Sequence, residues 1–204
     1  MVSVINRREG FNLGKNLSTL LIDELIHSME NIVNIRDFTD DSIDEETIEK
    51  LFQAFIYGPS LANQQPWECL LVNKTQQQEM VRATLDPFMT ENSHNGQSWI
   101  ASTPFVFVVL LDRRRAEARL GKKGMDFSEQ DVFASIQNLR LAAYLEGLGT
   151  SVIREFDTEC LKDILRIPKS FVPIAIMAMG YPSKDVQLPE RFTIDDIVHK
   201  ERIL

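Results

Sequence analysis

The residues Pro59-Ser60-Leu61-Ala62-Asn63-Gln64-Gln65-Pro66-Trp67 place a hydroxyl and three side-chain amides between two prolines. Such groups are neutral donors and acceptors, suited to a heteroaromatic ring whose edge alternates carbonyl and N–H groups. The prolines restrict the backbone at both ends, as a binding loop on a rigid scaffold requires. A plainer reading competes: Asn and Gln in a loop also satisfy their own backbone. The segment alone leaves both open.

Other chemistries find less support. His27, His94 and His199 are scattered, without cysteine or carboxylate neighbours at metal spacing, so no metal site is expected. Cys69 and Cys160 are far apart and read as small hydrophobes in a reducing compartment. Arg113, Arg114, Arg115, Arg119, Lys122 and Lys123 form the one basic cluster, read as a solvated loop, with the phosphates of a nicotinamide cofactor as the rival reading. Gly121 to Gly124 lies in that charged stretch with no strand before it, so it is not a phosphate-binding turn. No Ser-His-Asp arrangement is defensible, which argues against a side-chain nucleophile. A net charge of −8 argues against nucleic acid or a polybasic membrane contact. The longest apolar runs, Pro104 to Leu111 and Val172 to Met179, are too short to span a bilayer. No signal peptide is visible, and the cytoplasm is the expected compartment.

The elements that must position the amide-rich segment follow from periodicity. Residues 1–16 read as an irregular extension, and 17–204 as a single domain. A helix starts at Ser18, with Leu21, Ile22, Leu25, Ile26 and Met29 forming one apolar stripe. The next opens on a capping box of Ser42 and Glu45 and carries Ile48, Leu51, Phe52 and Phe55. Gly58, as a left-handed residue, and Pro59 stop it. A strand over Trp67 to Val72 follows, then a helix from Thr75 that Pro87 ends or bends. Phe105 to Leu111 is a strand buried on both faces. The longest helix runs from Ser128 to Glu146, with Val132, Phe133, Ile136, Leu139, Ala143 and Tyr144 facing inward. Strands near Thr150 to Ile153 and Ile174 to Met179 flank a helix capped by Asp157. The fold class is α+β, a sheet covered by helices. The tail, 182–204, is too polar for its own core, so it wraps its own subunit or reaches a partner.

With the elements in place, the amide-rich segment resembles the P-S-x-x-N-x-Q-P-W signature of the nitroreductase-like FMN flavoproteins. Ile35-Arg36-Asp37-Phe38 is similar to the end of the family's early R-R-S-x-R-x-F motif. Gln137-Asn138-Leu139 with Leu141-Ala142-Ala143, then Gly147-Leu148-Gly149-Thr150, resembles its central helix and the turn after it. Gly180-Tyr181-Pro182 resembles the end of its last core strand. The resemblance spans about Met29 to Arg191 and implies a central mixed sheet of about four to five strands. It also implies a domain-swapped homodimer with two FMN sites at the subunit interface.

By the same resemblance, Asn34, Arg36 and Arg191 face the phosphate and ribityl chain. Pro59, Ser60, Leu61 and Asn63 approach the isoalloxazine from the opposite subunit, with Gln65 supporting the loop. Ile153, Arg154 and Glu155 lie along the ring, with a backbone N–H near N5, and Gln97 reaches the ribityl hydroxyls. NADH or NADPH would deliver hydride to the flavin, and a nitroaromatic or quinone would take it away, with no catalytic side chain required. Dehalogenation, fragmentation of the flavin, and a non-catalytic flavin-binding dimer are the alternatives on the same fold.

Two departures stand out. The family's paired arginines fall at Ile32 and Val33, and its serine at Asn34. A phosphate close to dianionic then lacks the bidentate partners that arginine supplies. Arg191, Lys200, Arg202, Arg7 and Arg8 are the cations considered as replacements. Glu155 stands where many relatives have glycine, and it is expected to turn its carboxylate away from the ring and leave only its backbone facing the site.

Overall fold

A computed structural model describes residues 15–86 and 96–203. Helix α1 (Lys15–Asn31) starts before Ser18 and leads into helix α2 (Glu45–Ile56). The N-cap of α2 is Asp44, not Ser42: its carboxylate accepts from Thr47 N–H at 2.9 Å and from the Thr47 hydroxyl at 2.9 Å. A carboxylate at a helix start also meets the positive end of the dipole, which Ser42 would not exploit. Gly58 follows α2, but its role is not a left-handed turn. A Cβ there would sit 1.9 Å from Ser135 Oγ, so glycine permits close approach of two chain segments.

Strand β1 (Trp67–Leu71) is followed by helix α3 (Lys74–Met80), which opens on a capping box of Asn73 and Gln76. Strand β2 (Phe105–Asp112) then passes directly into helix α4 (Arg113–Leu120), and helix α5 (Lys122–Leu145) follows after one residue. The basic cluster, expected as a loop, is therefore helical. Asp112 explains this, because its carboxylate caps α4 at Arg114 N–H, 2.9 Å away. Strand β3 (Gly149–Ile153), helix α6 (Thr158–Leu165), strand β4 (Phe171–Gly180) and the one-turn helix α7 (Ile194–Ile197) complete the order. Asp157 caps α6 at Cys160 N–H, as expected.

The strands lie in the order β1-β2-β4-β3, and each neighbouring pair is antiparallel. The resemblance implied a mixed sheet; among the described residues parallel pairing is confined to a single bridge between Asn34 and Thr150. A strand buried on both faces is a continuous apolar run in either direction, so the pattern carries no polarity. Alternation along β2 sends Phe107, Val109 and Leu111 to one face, against Leu51 and Phe55 of α2 and Val132, Ile136, Leu139 and Ala143 of α5. Val106, Val108 and Leu110 go to the other, with Met80, Ile100, Leu161 and Leu165. A register shift at Val109/Leu110 sets Ile174 and Ala175 on the same side, so β4 carries an extra residue. Phe52 meets Phe107 edge-on at 5.1 Å between centroids, locking α2 to the sheet.

Beyond β4 the chain is tied at its start by Ser183 N–H to Asp37 O at 3.2 Å and the Lys184–Asp37 ion pair at 3.4 Å. Phe192, Ile194 and Ile203 are then 78–82% exposed, so the tail does not wrap its own subunit's core.

Asp112 is buried, and its carboxylate takes a bidentate pair from Arg114, Nε at 3.0 Å and Nη2 at 2.8 Å. These bonds hold its pKa below the ordinary 3.8. A carboxyl lowered in the folded state stabilises the fold above its unfolded pKa and loses that contribution as pH falls through the folded value. Asp112→Asn is therefore expected to cost about 1–3 kcal/mol near neutral pH. Thermal unfolding against pH should show the gap between the proteins steady above about pH 5 and closing below it. A gap unchanged into strong acid would contradict the assignment.

Candidate functional site

Helix α5 supplies one wall of the site. Phe133, Ile136, Gln137 and Arg140 follow the i, i+3, i+4, i+7 spacing, so one helical face meets one cavity. The edge strand β3 and its continuation give Ser151 to Glu155, the segment before α2 gives Asn34 and Arg36, and Gln97 closes one side. The enclosed volume is about 480 Å³, within the range of small-molecule and cofactor sites.

Asn34 organises one end. Its Oδ1 accepts from Val152 N–H and from Arg140 Nη2, each at 3.2 Å, while Arg140 Nε donates to Thr150 Oγ1 at 3.1 Å. Burial lowers the Arg140 pKa from its ordinary value, yet a guanidinium stays charged at any physiological pH. At the other end the Arg154 guanidinium lies over the Phe133 ring, 5.7 Å from its centroid. The Glu155 carboxylate accepts from Arg154 N–H at 3.2 Å, and the Glu155 carbonyl accepts from Leu85 N–H at 2.9 Å. That carboxylate is thus engaged by the neighbouring backbone. Each end of the Gln97 amide makes one bond inside the chain: Nε2 donates to Leu85 O at 3.1 Å, and Oε1 accepts from Trp99 Nε1 at 2.9 Å. It shapes the cavity more than it offers free hydrogen bonds.

Six residues singled out in the sequence thus converge: Asn34, Arg36, Gln97, Ile153, Arg154 and Glu155. Pro59, Ser60, Leu61, Asn63 and Gln65 do not join them on this chain, and Arg191 stands exposed on the tail. Sequence reasoning missed Gln137, Arg140, Ser151 and Val152. For Arg140 a signal existed, a lone charge inside the otherwise apolar or amide-bearing face of the central helix. Of the cations that could replace the arginine pair, Lys200 and Arg202 are also exposed tail residues, and Arg7 and Arg8 lie outside the described residues, as does His94.

The amide-rich segment forms its own rigid unit. Ala62, Asn63 and Gln65 all have positive φ, 49°, 56° and 47°, so the loop is held against its local preference. Asp131 of α5 accepts from Leu61 N–H at 2.9 Å, and Ser60 Oγ accepts from Gln65 N–H at 3.1 Å. Arg115 donates to Gln65 O at 2.6 Å and also pairs with Glu68. Gln64 Nε2 donates to Arg115 O at 2.8 Å, so part of the basic cluster braces this loop. Cys69 is set apart from any such chemistry, since burial pushes its thiol up to about 12 and keeps it protonated. Among the described residues no cluster of His, Cys, Asp and Glu could hold a metal.

Residues 34–181 match the model of the nitroreductase family, and the chain belongs to that family. A protein of Archaeoglobus fulgidus with the provisional name NADH dehydrogenase/NAD(P)H nitroreductase is 30% identical over 176 residues, covering 83% of this chain and 92% of its own. An FMN reductase [NAD(P)H] of Bacillus subtilis is 22% identical, over 90% of this chain and 76% of its own. The fold matches a provisionally named nitroreductase of Desulfovibrio desulfuricans, solved in complex with FMN, at a TM-score of 0.73 and 21% identity, covering 88% of this chain and 97% of that one. The protein is accordingly an oxidoreductase of α+β fold.

Asp131→Ala should release Leu61 N–H and cost about 1–3 kcal/mol, the range for a lost hydrogen bond to a charged group. Asp131→Asn, which keeps an acceptor, should cost less. Hydrogen exchange at Leu61 together with thermal unfolding reads this out; unchanged protection of Leu61 in the alanine variant would show that other bonds hold the loop.

Proposed function

We propose that this chain is an FMN-dependent oxidoreductase that draws hydride from NADH or NADPH and reduces electron-poor small molecules such as nitroaromatics or quinones. The observation that carries the reading is the cavity itself. It has an aromatic and aliphatic end at Phe133 and Ile153 and a cationic end at Arg36 and Arg140, which suits a ligand with a flat ring and an anionic tail. The names of the Archaeoglobus and Bacillus relatives, and the FMN held by the Desulfovibrio structure, support it. When bound, FMN supplies the redox ring, which accepts and returns a hydride.

The chain's own residues bind and orient. Ile153 and Phe133 offer apolar surface to a ring, and Arg154, resting on Phe133, narrows the entrance. The Glu155 carboxylate sits on Arg154 N–H, which leaves the Glu155 N–H as the backbone donor for the ring's N5 edge. On this reading no side chain needs to serve as acid or base.

The same proposal includes a homodimer. Leu21, Ile22, Leu25, Ile26 and Met29 form a stripe on α1 that is 42–55% exposed, and the tail exposes Phe192, Ile194, Ile197 and Val198. A contiguous apolar face of this kind marks an interaction surface. Pairing would bring the Pro59 to Gln65 loop of one subunit to the cavity of the other.

Two measurements test this. The purified full chain should show flavin absorbance retained after FMN addition and desalting, and NADH or NADPH should bleach it anaerobically. A flavin-bound protein that neither nucleotide bleaches would remove the NAD(P)H step. The Ile22→Glu/Ile26→Glu protein should run as a monomer by light scattering and lose flavin; a wild-type protein already monomeric would reject the shared site.

A further inference from the structure

Arg140 is a charged cavity residue at a position the family motif leaves unspecified. It interrupts the Gln137-Asn138-Leu139…Leu141-Ala142-Ala143 motif with a charge on the face of α5 that meets the cavity. Both of its hydrogen bonds go to neutral oxygens, Thr150 Oγ1 and Asn34 Oδ1. No carboxylate pairs with it among the described residues. A half-buried guanidinium held in place by neutral acceptors keeps its whole positive charge for a further partner. Nη1 makes no hydrogen bond among the described residues, so donor capacity remains as well.

Its location matters as much as its charge. A second, smaller recess is lined jointly by Ile32, Val33, Thr150 and Arg140, so Arg140 stands beside the two positions that carry no charge. Ile32 itself is buried and packs as a hydrophobe. Along α5, Arg140 is seven residues from Phe133, about 10 Å at the helical rise, and the apolar and cationic ends of the cavity are separated accordingly. An extended ribityl phosphate bridges such a gap.

Resting on the FMN reading above, we infer that Arg140 binds the phosphate of FMN, taking over from the central helix the charge that Ile32 and Val33 no longer supply. Asn34 is then a positioning residue: by accepting from Nη2 it fixes the plane of the guanidinium while its own amide is anchored by Val152 N–H. The phosphate of a nicotinamide cofactor shares this chemistry, and the test separates the two sources.

The experiment compares FMN with riboflavin, which has the same ring and no phosphate. Dissociation constants are measured by flavin fluorescence for the full-length wild type, Arg140→Gln and Arg140→Lys, with circular dichroism as the folding control. Wild type should prefer FMN over riboflavin. Arg140→Gln should weaken FMN by roughly tenfold to a hundredfold, the size of a lost charged hydrogen bond, and leave riboflavin unchanged. Arg140→Lys should restore part of the preference, and inorganic phosphate should compete with FMN but not with riboflavin. Equal weakening of both flavins, or an FMN preference unchanged in Arg140→Gln, would overturn the assignment to phosphate. So would normal FMN binding with a raised KM for NADPH alone, which would give Arg140 to the co-substrate. If Arg140→Gln fails to fold, the FMN-to-riboflavin ratio of the uncharged Arg140→Met decides: an unchanged ratio overturns the assignment. A wild type that binds neither flavin sinks the FMN reading itself, an outcome distinct from binding both flavins equally, which sinks only the role of Arg140.

Discussion

The packing of α5 against one face of the sheet is the constraint on which the rest depends. Val132, Ile136, Leu139 and Ala143 are buried with Phe107, Val109, Ala175 and Met177. Each large apolar side chain contributes about 1.5–3 kcal/mol when fully buried. That outweighs the few kcal/mol of desolvation at a half-buried guanidinium whose Nε and Nη2 already have acceptors. Because a helix turns as a rigid body, fixing the buried face also fixes the adjacent one, and Phe133, Gln137 and Arg140 have no freedom to leave the cavity wall. Gly58 tightens the arrangement, since any side chain there would push against Ser135 on the same helix.

The second consequence of α5 is the loop from Pro59 to Gln65. Three non-glycine residues with positive φ within four positions store about 1–3 kcal/mol each, somewhat less at Asn63, whose side chain tolerates this region. Local preference would not keep the chain there. Asp131 holds it from the helix side and Arg115 from the other, so the loop is strained but fixed at both flanks. This changes the meaning of the basic cluster. Arg114 is committed to Asp112 and rests over Phe171, and Arg115 spans Gln65, Trp67 and Glu68. These arginines support structure in this chain and do not form an open anion site.

Strong local patterns were legible in the sequence. The strand at Phe105, the long helix, the Asp157 cap and the gathering of Asn34, Arg36, Ile153, Arg154 and Glu155 all followed from periodicity or motif. What escaped has physical causes. Strand direction leaves no trace in a run buried on both faces. Ser42 and Asp44 are both good caps, and the choice between them depends on where the chain enters α2. The helix at Arg113 was hidden by its charge, because its stability comes from Asp112 and the rigid end of β2 and not from an apolar stripe. Arg140 was passed over because its environment is made by Asn34 and Thr150, which meet it only after folding.

The exchange between Ile32 and Arg140 has a logic of its own. An arginine at position 32 would have to keep a charged group where Ile32 is now 9% exposed, beside Leu148 and Tyr144 of the small recess. Burying an unpaired guanidinium there would cost several kcal/mol. With isoleucine the same position adds to packing instead, and the charge reaches the cavity from a helix that is already immobile. On the proposed reading Arg140 shares the cationic end with Arg36, and the weight of phosphate recognition would rest on how its guanidinium is oriented. That orientation is set by Asn34, whose one carbonyl oxygen is shared between Arg140 and Val152 N–H. The departure of Asn34 from the family's serine would then accompany the departure at Ile32 and Val33, since its amide oxygen accepts from Arg140 Nη2 and Val152 N–H together.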